Sequence, residues 1–339
     1  MKRSLIIIAL FACSIGALYV WLLWPGATIV TIGSVDDFSD KPRFVSVLDG
    51  LPVENATSSL PVIAAVMIDN FSSSRPQYGL AQASIVYEAP VEGGLTRYLA
   101  IFDRSHKVIK VGPVRSARPY FLDWQAEYGQ PFYMHSGGSP DALNKIKNSA
   151  MLDANEFYFG AYYWRVNDRV APHNLFTSSE LWSKLALERL TETPTVWVGR
   201  FFETNPPASS TAAISVSIKY NPNYKVSWKY DSARGIYDRL LADVPYVDFA
   251  GETLTADNVV IQYVQVRSLD EEDRKEITTI GSGSARVLRD GRIIYGDWQK
   301  DSFSGRTIFT DLSGEEIKFK PGVTWIQIVP SDVAVEVVN

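Results

Sequence analysis

The sequence predicts an α+β protein: an N-terminal transmembrane helix, then a mixed α/β domain, then a smaller antiparallel all-β domain. Three observations carry this expectation. Residues 5–24 form one uncharged apolar run. Residues 61–200 interleave apolar strand-like runs with helical segments that have recognisable starts. Beyond a Pro-Pro-Ala-Ser-Ser stretch, helical periodicity disappears and short strand-like runs alternate with glycine turns.

The first element is LIIIALFACSIGALYVWLLW, whose twenty residues match the thickness of a bilayer core. Lys2 and Arg3 lie in the 1–4 stub and keep that end cytoplasmic, while Tyr19, Trp21 and Trp24 crowd the far end as an aromatic belt would. Two alternatives are a cleaved signal peptide, whose apolar region is shorter, and a lipid anchor at Cys13, because Leu10-Phe11-Ala12-Cys13 half fits a lipoprotein signal. Phe11 is bulky for that role, and apolar residues continue for eleven positions beyond Cys13. The remaining chain is therefore expected outside the cytoplasmic membrane, after a stalk and lead-in at 25–60.

Composition narrows the function. Lys and Arg total 33 against 38 Asp and Glu, so the net charge is −5 and no overall basic field for nucleic acid exists. One cysteine excludes a disulfide framework and a thiolate zinc site, and three histidines argue against a histidine-rich metal cluster. No metal and no cofactor is expected.

Within 61–200, VIAAVMI (62–68) reads as a strand covered on both faces. SIVYE (84–88) and TRYLAIF (96–102) read as a hairpin across a five-residue loop with two glycines, and PFYMHS (131–136) as a fourth strand. Helices are expected over 117–128, over 140–148 behind Ser139, and from Thr177 to about Leu190. There Thr177 and Glu180 fit a capping box, with Phe176 and Leu181 as its hydrophobic staple. A linker occupies 201–213. In 214–330, ISVSIKY, YKVSWKY, VVIQYVQV, ARVLR, RIIYG, TIFT and TWIQIV read as strands, with Asp290-Gly291 as a tight hairpin turn. Residues 331–339 form a tail.

Candidate chemistry concentrates in the first domain. In MHSGGSPDAL, a strand ends at His135, Gly137 and Gly138 follow, and Ser139 opens a helix. That order makes an anion cradle with His135 at its lip, or merely a tight turn with a cap. In VGPVRSARPYF, Arg115 and Arg118 flank Ser116 at another expected helix start. Guanidinium is unfavourable there unless an anion or a carboxylate such as Glu88 or Glu92 answers it. Arg97 shares a strand face with Leu99 and Ile101, so a Glu88–Arg97 pair is expected. Asp69, Arg75, Arg169, His173 and Asn174 complete the set of polar residues expected near one site, with His135, Glu88, Glu92 and Asp69 as acid–base candidates. There is no Gly-x-Ser-x-Gly elbow, no HExxH and no phosphate loop.

These stretches resemble the YerB-like family of bacterial lipoproteins, whose N- and C-terminal domains are of unknown function. VMIDN with RPQYGL, SIVYEAPVEGGLTRYLAIF, VGPVRSARPYF, HSGGSPDAL and DRVAPHNLFTS carry the likeness in the first half. GSGSARVLRDGRIIYGDWQKDS, GRTIFTDLSGEEI and PGVTWIQIVP continue it in the second. The resemblance implies an extracytoplasmic protein with an α/β first part and a β-rich second part, and implies no reaction or ligand. Three readings follow: a membrane-anchored binder of an anionic cell-wall ligand or envelope partner, a hydrolase or transferase using His135 on cell-wall polymers, and a scaffold for envelope proteins.

The apolar run predicts that residues 5–24 remain uncleaved in the mature protein. The intact mass of membrane-extracted protein should match the full chain; a chain beginning at an acylated Cys13 would overturn the anchor.

Overall fold

A computed structural model describes residues 44–54, 63–103, 107–129, 131–189, 199–205 and 210–339. The expected anchor at 5–24, Cys13, most of the 25–60 lead-in and the centre of the Pro-Pro joint lie outside the described residues. Among the described residues no helix is long and apolar enough to cross a membrane.

Unbroken apolar runs become interior strands. β1 (Ala64–Ile68) is buried along its whole length, as a strand covered on both faces must be. β2 (Ile85–Pro90) and β3 (Thr96–Phe102) form the expected antiparallel hairpin, with Ile85 opposite Ile101 and Pro90 opposite Thr96. β4 (Phe132–His135) and β5 (Leu152–Asn155) add to β1 in parallel.

The second half supplies nine longer strands. They are β6 (Ser215–Asn221), β7 (Tyr224–Asp231), β8 (Ile236–Leu241), β9 (Asn258–Val264) and β10 (Gly281–Arg289). β11 (Arg292–Lys300), β12 (Ile308–Asp311), β13 (Thr324–Pro330) and β14 (Val335–Val338) follow. Asp290 and Gly291 have φ of 55° and 69°, the left-handed pair that a two-residue hairpin turn between β10 and β11 requires.

These strands do not form a self-contained antiparallel domain, which corrects that expectation. One large sheet runs β12-β11-β10-β9-β13-β2-β3-β1-β4-β5 and therefore joins both halves of the chain. β13 sits at the join, parallel to β9 and to β2, with Gln327 opposite both Ile261 and Glu88. The reason lies in composition: VVIQYV and TWIQIV lack the alternation that a strand with one wet face needs, so they go to the covered centre. β6, β7, β8 and β14 form a second, antiparallel sheet, and β6 does alternate between buried and more exposed positions.

Among the described residues four α-helices accompany the sheets: α1 (Pro119–Gln125), α2 (Pro140–Lys147), α3 (Glu156–Phe159) and α4 (Ser179–Arg189). On one face of the large sheet, Met67, Leu99, Ile101 and Ile326 pack with Phe121 and Trp124 of α1 and Ile146 of α2. On the other face, Val66, Tyr98, Val259 and Trp325 pack with Val216 and Trp228 of the small sheet and Trp182 of α4. The α4 start differs from expectation by one residue. Ser178 Oγ accepts from Leu181 N at 3.4 Å, whereas Thr177 donates its hydroxyl to Tyr162 O at 2.9 Å. Thr177 is held extended by two backbone bonds to Val111, so its side chain cannot turn back to cap.

The two sheets meet across a buried ion pair. Arg239 of β8 places Nη2 2.9 Å from Glu88 Oε2 of β2, and neither side chain is exposed. Trp325, Trp228, Tyr98 and Tyr246 surround the guanidinium at 4.7, 5.5, 5.8 and 5.8 Å. Glu88 Oε1 also accepts from Tyr224 at 2.6 Å and Thr96 at 2.7 Å. The expected Glu88–Arg97 pair is absent because Arg97 stands opposite Ala89, and so on the other face of the hairpin from Glu88. Glu88→Gln or Arg239→Met alone should lower unfolding free energy by ~3–5 kcal/mol, because each strands a buried charge. The double variant should recover much of that loss in urea denaturation; an additive loss would show that the pair is not coupled.

Candidate functional site

β1 ends at Ile68, and the chain turns out of the sheet with Asp69 and Asn70. Both are buried, so both must be answered by partners. Asp69 Oδ1 accepts from Phe71 N at 3.1 Å, and Oδ2 lies 2.6 Å from His173 Nδ1 and 3.3 Å from Arg115 Nε. The Phe71 ring stacks on His173 with centroids 5.1 Å apart and planes 11° apart. Asn70 donates to Thr96 at 2.7 Å and Tyr224 at 2.6 Å, and its Oδ1 accepts from Arg75 Nε at 3.0 Å. Tyr224 is a firm donor: burial and then the charge of Glu88 push its hydroxyl above the ordinary tyrosine value.

Segment 111–118 is laid against this strand end. Val111 and Val114 bond to the backbone of Thr177 and Leu175, and Arg115 N donates to Met67 O at 2.9 Å. Arg115, Ser116 and Arg118 consequently sit beside Arg97 of β3. Arg97 Nη1 donates to Ser116 O at 2.8 Å, while its buried Nε has no hydrogen-bond partner among the described residues. Burial, and next the adjacent Arg118 charge, bring the Arg97 pKa down to about 10. Arg118 is itself paired: its guanidinium makes a two-pronged contact with Glu92, Nη2 to Oε2 at 2.9 Å and Nε to Oε1. Burial would raise Glu92, but the hydrogen bond and charge of Arg118 outweigh it, and its pKa lies below the ordinary value. Helix α1 has seven residues and Arg118 precedes it without a side-chain cap, so charge pairing rather than a helix end organises these arginines.

The glycine turn is closed rather than a cradle. Ser136 N donates to Arg115 O at 3.2 Å, Gly137 N to Asn155 Oδ1 at 3.0 Å, and Ser139 N to Ala117 O at 3.3 Å. Ser139 Oγ caps α2 by accepting from Ala142 N at 3.3 Å. Gly137 adopts φ 61°, and a Cβ on Gly138 would lie 3.2 Å from both Ala117 Cβ and the Leu143 side chain. His135 is fully buried: Nδ1 donates to Gly137 O at 2.7 Å, and Nε2 faces Asp153 Oδ1 at 2.8 Å. It is placed to brace the turn, and its carboxylate partner is Asp153, not Glu88, Glu92 or Asp69.

The 165–174 loop brings a second histidine, His173. Arg169 donates to Ser74 O at 2.8 Å and Pro76 O at 2.7 Å, tying this loop to the 72–76 turn. Arg165 Nη1 donates to Asn174 Oδ1 at 2.9 Å and its Nη2 meets Glu156 Oε1 at 3.1 Å, while Ser136 Oγ donates to Glu156 Oε2 at 3.0 Å. The structure thus joins Asp69, His173 and Arg115 directly, with Arg97, Arg118, Ser116 and Arg75 on neighbouring backbone. It places Glu88 in the ion pair between the sheets. Asp153, Glu156 and Arg239 are absent from the sequence expectation. Asn155 and Glu156 at the start of α3 were the available signal, an Asn cap followed by an acid.

Comparison with known proteins gives the family and a solved structure of the same fold. The chain belongs to the DUF3048 family: the model of its N-terminal domain, "Protein of unknown function (DUF3048) N-terminal domain", matches residues 48–191, and that of its C-terminal domain matches 216–326. A relative is the protein described as "Putative lipoprotein YerB" of Bacillus subtilis (strain 168), 32% identical over 289 residues, covering 84% of this chain and 85% of the relative. The crystal structure of YerB from Bacillus subtilis superposes with a TM-score of 0.77 at 30% identity, covering 87% of this chain and 100% of that one.

The Glu92–Arg118 pair has a pH signature. Glu92 releases its proton more readily folded than unfolded, so its contribution is full above the ordinary glutamate value of 4.5 and fades as pH falls through and below it. Glu92→Gln should therefore lower the melting temperature at neutral pH and flatten its decline in acid. Parallel acid limbs for variant and parent would show that the pair contributes nothing.

Proposed function

We propose that this chain is a membrane-attached extracytoplasmic protein of the cell envelope whose arginine cluster binds an anionic envelope ligand. Attachment is supported by the apolar run at 5–24 and by the description of the Bacillus subtilis relative as a lipoprotein. A span through 5–24 and an acylated Cys13 place the folded part on the same side of the membrane.

One observation carries the binding reading: Arg97 is 6% exposed, and no described carboxylate pairs with it. Nearby, Glu92 is taken by Arg118, and Asp69 is shared by Arg115 and His173. The cluster holds three guanidiniums against two carboxylates. A buried cation without a counter-ion is costly, and an arriving phosphate or carboxylate supplies one.

The test is thermal. Inorganic phosphate should raise the melting temperature of the parent, since a ligand bound only by the folded state stabilises it. Arg97→Met should abolish that rise without lowering the melting temperature in plain buffer, because it removes an unpaired buried charge. An Arg97→Met variant markedly less stable than the parent would make Arg97 structural and overturn the reading.

A further inference from the structure

We propose that Asp69, His173 and Arg115 form a hydrolytic centre for phosphodiesters, with His173 as general base. The inference deepens the anion-binding reading and rests on it for the ground-state contact with the ligand.

The geometry is that of an oriented histidine. Asp69 Oδ2 lies 2.6 Å from His173 Nδ1, which fixes that nitrogen as the donor and gives the neutral ring its lone pair at Nε2. Nε2 has no hydrogen-bond partner among the described residues and is not among the buried unpaired atoms, so it opens to solvent from a side chain 16% exposed. The carboxylate is fixed through its other oxygen by Phe71 N at 3.1 Å, and the Phe71 ring holds the imidazole plane. Arg169 clamps the loop that carries His173 by two carbonyl contacts. None of this is required by the packing of the sheets, since Asp69 and His173 lie at the end of β1 and in a surface loop.

Arg115 Nε lies 3.3 Å from the same Asp69 oxygen, with 28% of its side chain exposed. A base and a guanidinium that meet at one carboxylate oxygen suit a group that is already anionic and gains charge in the transition state. A phosphodiester meets that description; a neutral carboxylic ester brings no charge for Arg115 to bind. In the step, the water oxygen bonds to phosphorus as its proton passes to His173 Nε2, and the bond from phosphorus to one ester oxygen breaks. The leaving alkoxide takes a proton from water, and the imidazolium returns its proton to solvent. One phosphodiester and one water yield one phosphomonoester and one alcohol, with no change in oxidation state.

The full-length protein in detergent, given bis(p-nitrophenyl) phosphate, should release p-nitrophenolate. His173→Gln should lower that rate by about 100-fold or more, the usual worth of a positioned base. Asp69→Asn should lower it as well, and added imidazole should restore part of the rate to His173→Gly. Ethoxyformylation of the wild-type protein, mapped to His173 by mass, should stop turnover and covers the case in which a variant does not fold. A wild-type rate no higher than that of His173→Gln overturns the proposal. Retention of the phosphate-induced melting shift without turnover overturns the hydrolytic centre alone; loss of that shift in the wild type overturns the binding reading beneath it.

Discussion

The buried pair of Glu88 and Arg239 is the constraint on which the rest of the architecture depends. Neither charge is tolerable alone in an apolar interior, so β2 of the large sheet and β8 of the small one must meet at one register. The aromatic rings around Arg239 come from both sheets, Tyr98 and Trp325 from one and Trp228 from the other. The pair therefore sets how the sheets face each other, while their apolar side chains supply most of the burial free energy.

Its influence reaches the candidate site through hydrogen bonds. Glu88 accepts from Tyr224 and Thr96, both of which accept from Asn70, and Asn70 receives Arg75 and Gln77. Asn70 follows Asp69 directly, so the carboxylate that holds His173 and Arg115 is anchored to the centre of the molecule. A polar network of this kind favours one arrangement over its neighbours because a partly satisfied version leaves buried groups unpaired. The loops that contribute His173 and Arg115 are then fastened to that fixed point, by Arg169 on one side and by the Met67 backbone on the other.

The two histidines illustrate how residue type alone misassigns roles. His135 stands next to glycines and a helix start, the setting in which an anion site is expected. Yet the backbone N–H groups of Ser136, Gly137 and Ser139 are already taken by Arg115 O, Asn155 and Ala117 O. His173 stands beside a proline in a loop with little periodicity and carries no such signal. It acquires an oriented ring because the loop folds back onto the end of β1, 104 residues earlier.

By itself, the sequence determined what local chemistry can determine. An uninterrupted apolar run specified β1 as a covered strand, five loop residues with two glycines specified the β2–β3 hairpin, and Asp290-Gly291 specified the tight turn between β10 and β11, whereas β9 and β13 were legible only as strands. Pro140 after Ser139 specified the start of α2. It also named Asp69, Arg97, Arg115, Arg118 and His173 as polar residues in need of explanation. Only the tertiary structure decided which of them meet. β13 joins the halves into one sheet because parallel pairing depends on contacts between distant segments, which no period records. Glu88 pairs with Arg239 rather than Arg97 because side chains alternate faces along a strand, so register, not proximity in the hairpin, selects the partner. The Asp69–His173–Arg115 cluster exists for the same reason: its three members come from three segments that only the completed fold brings together.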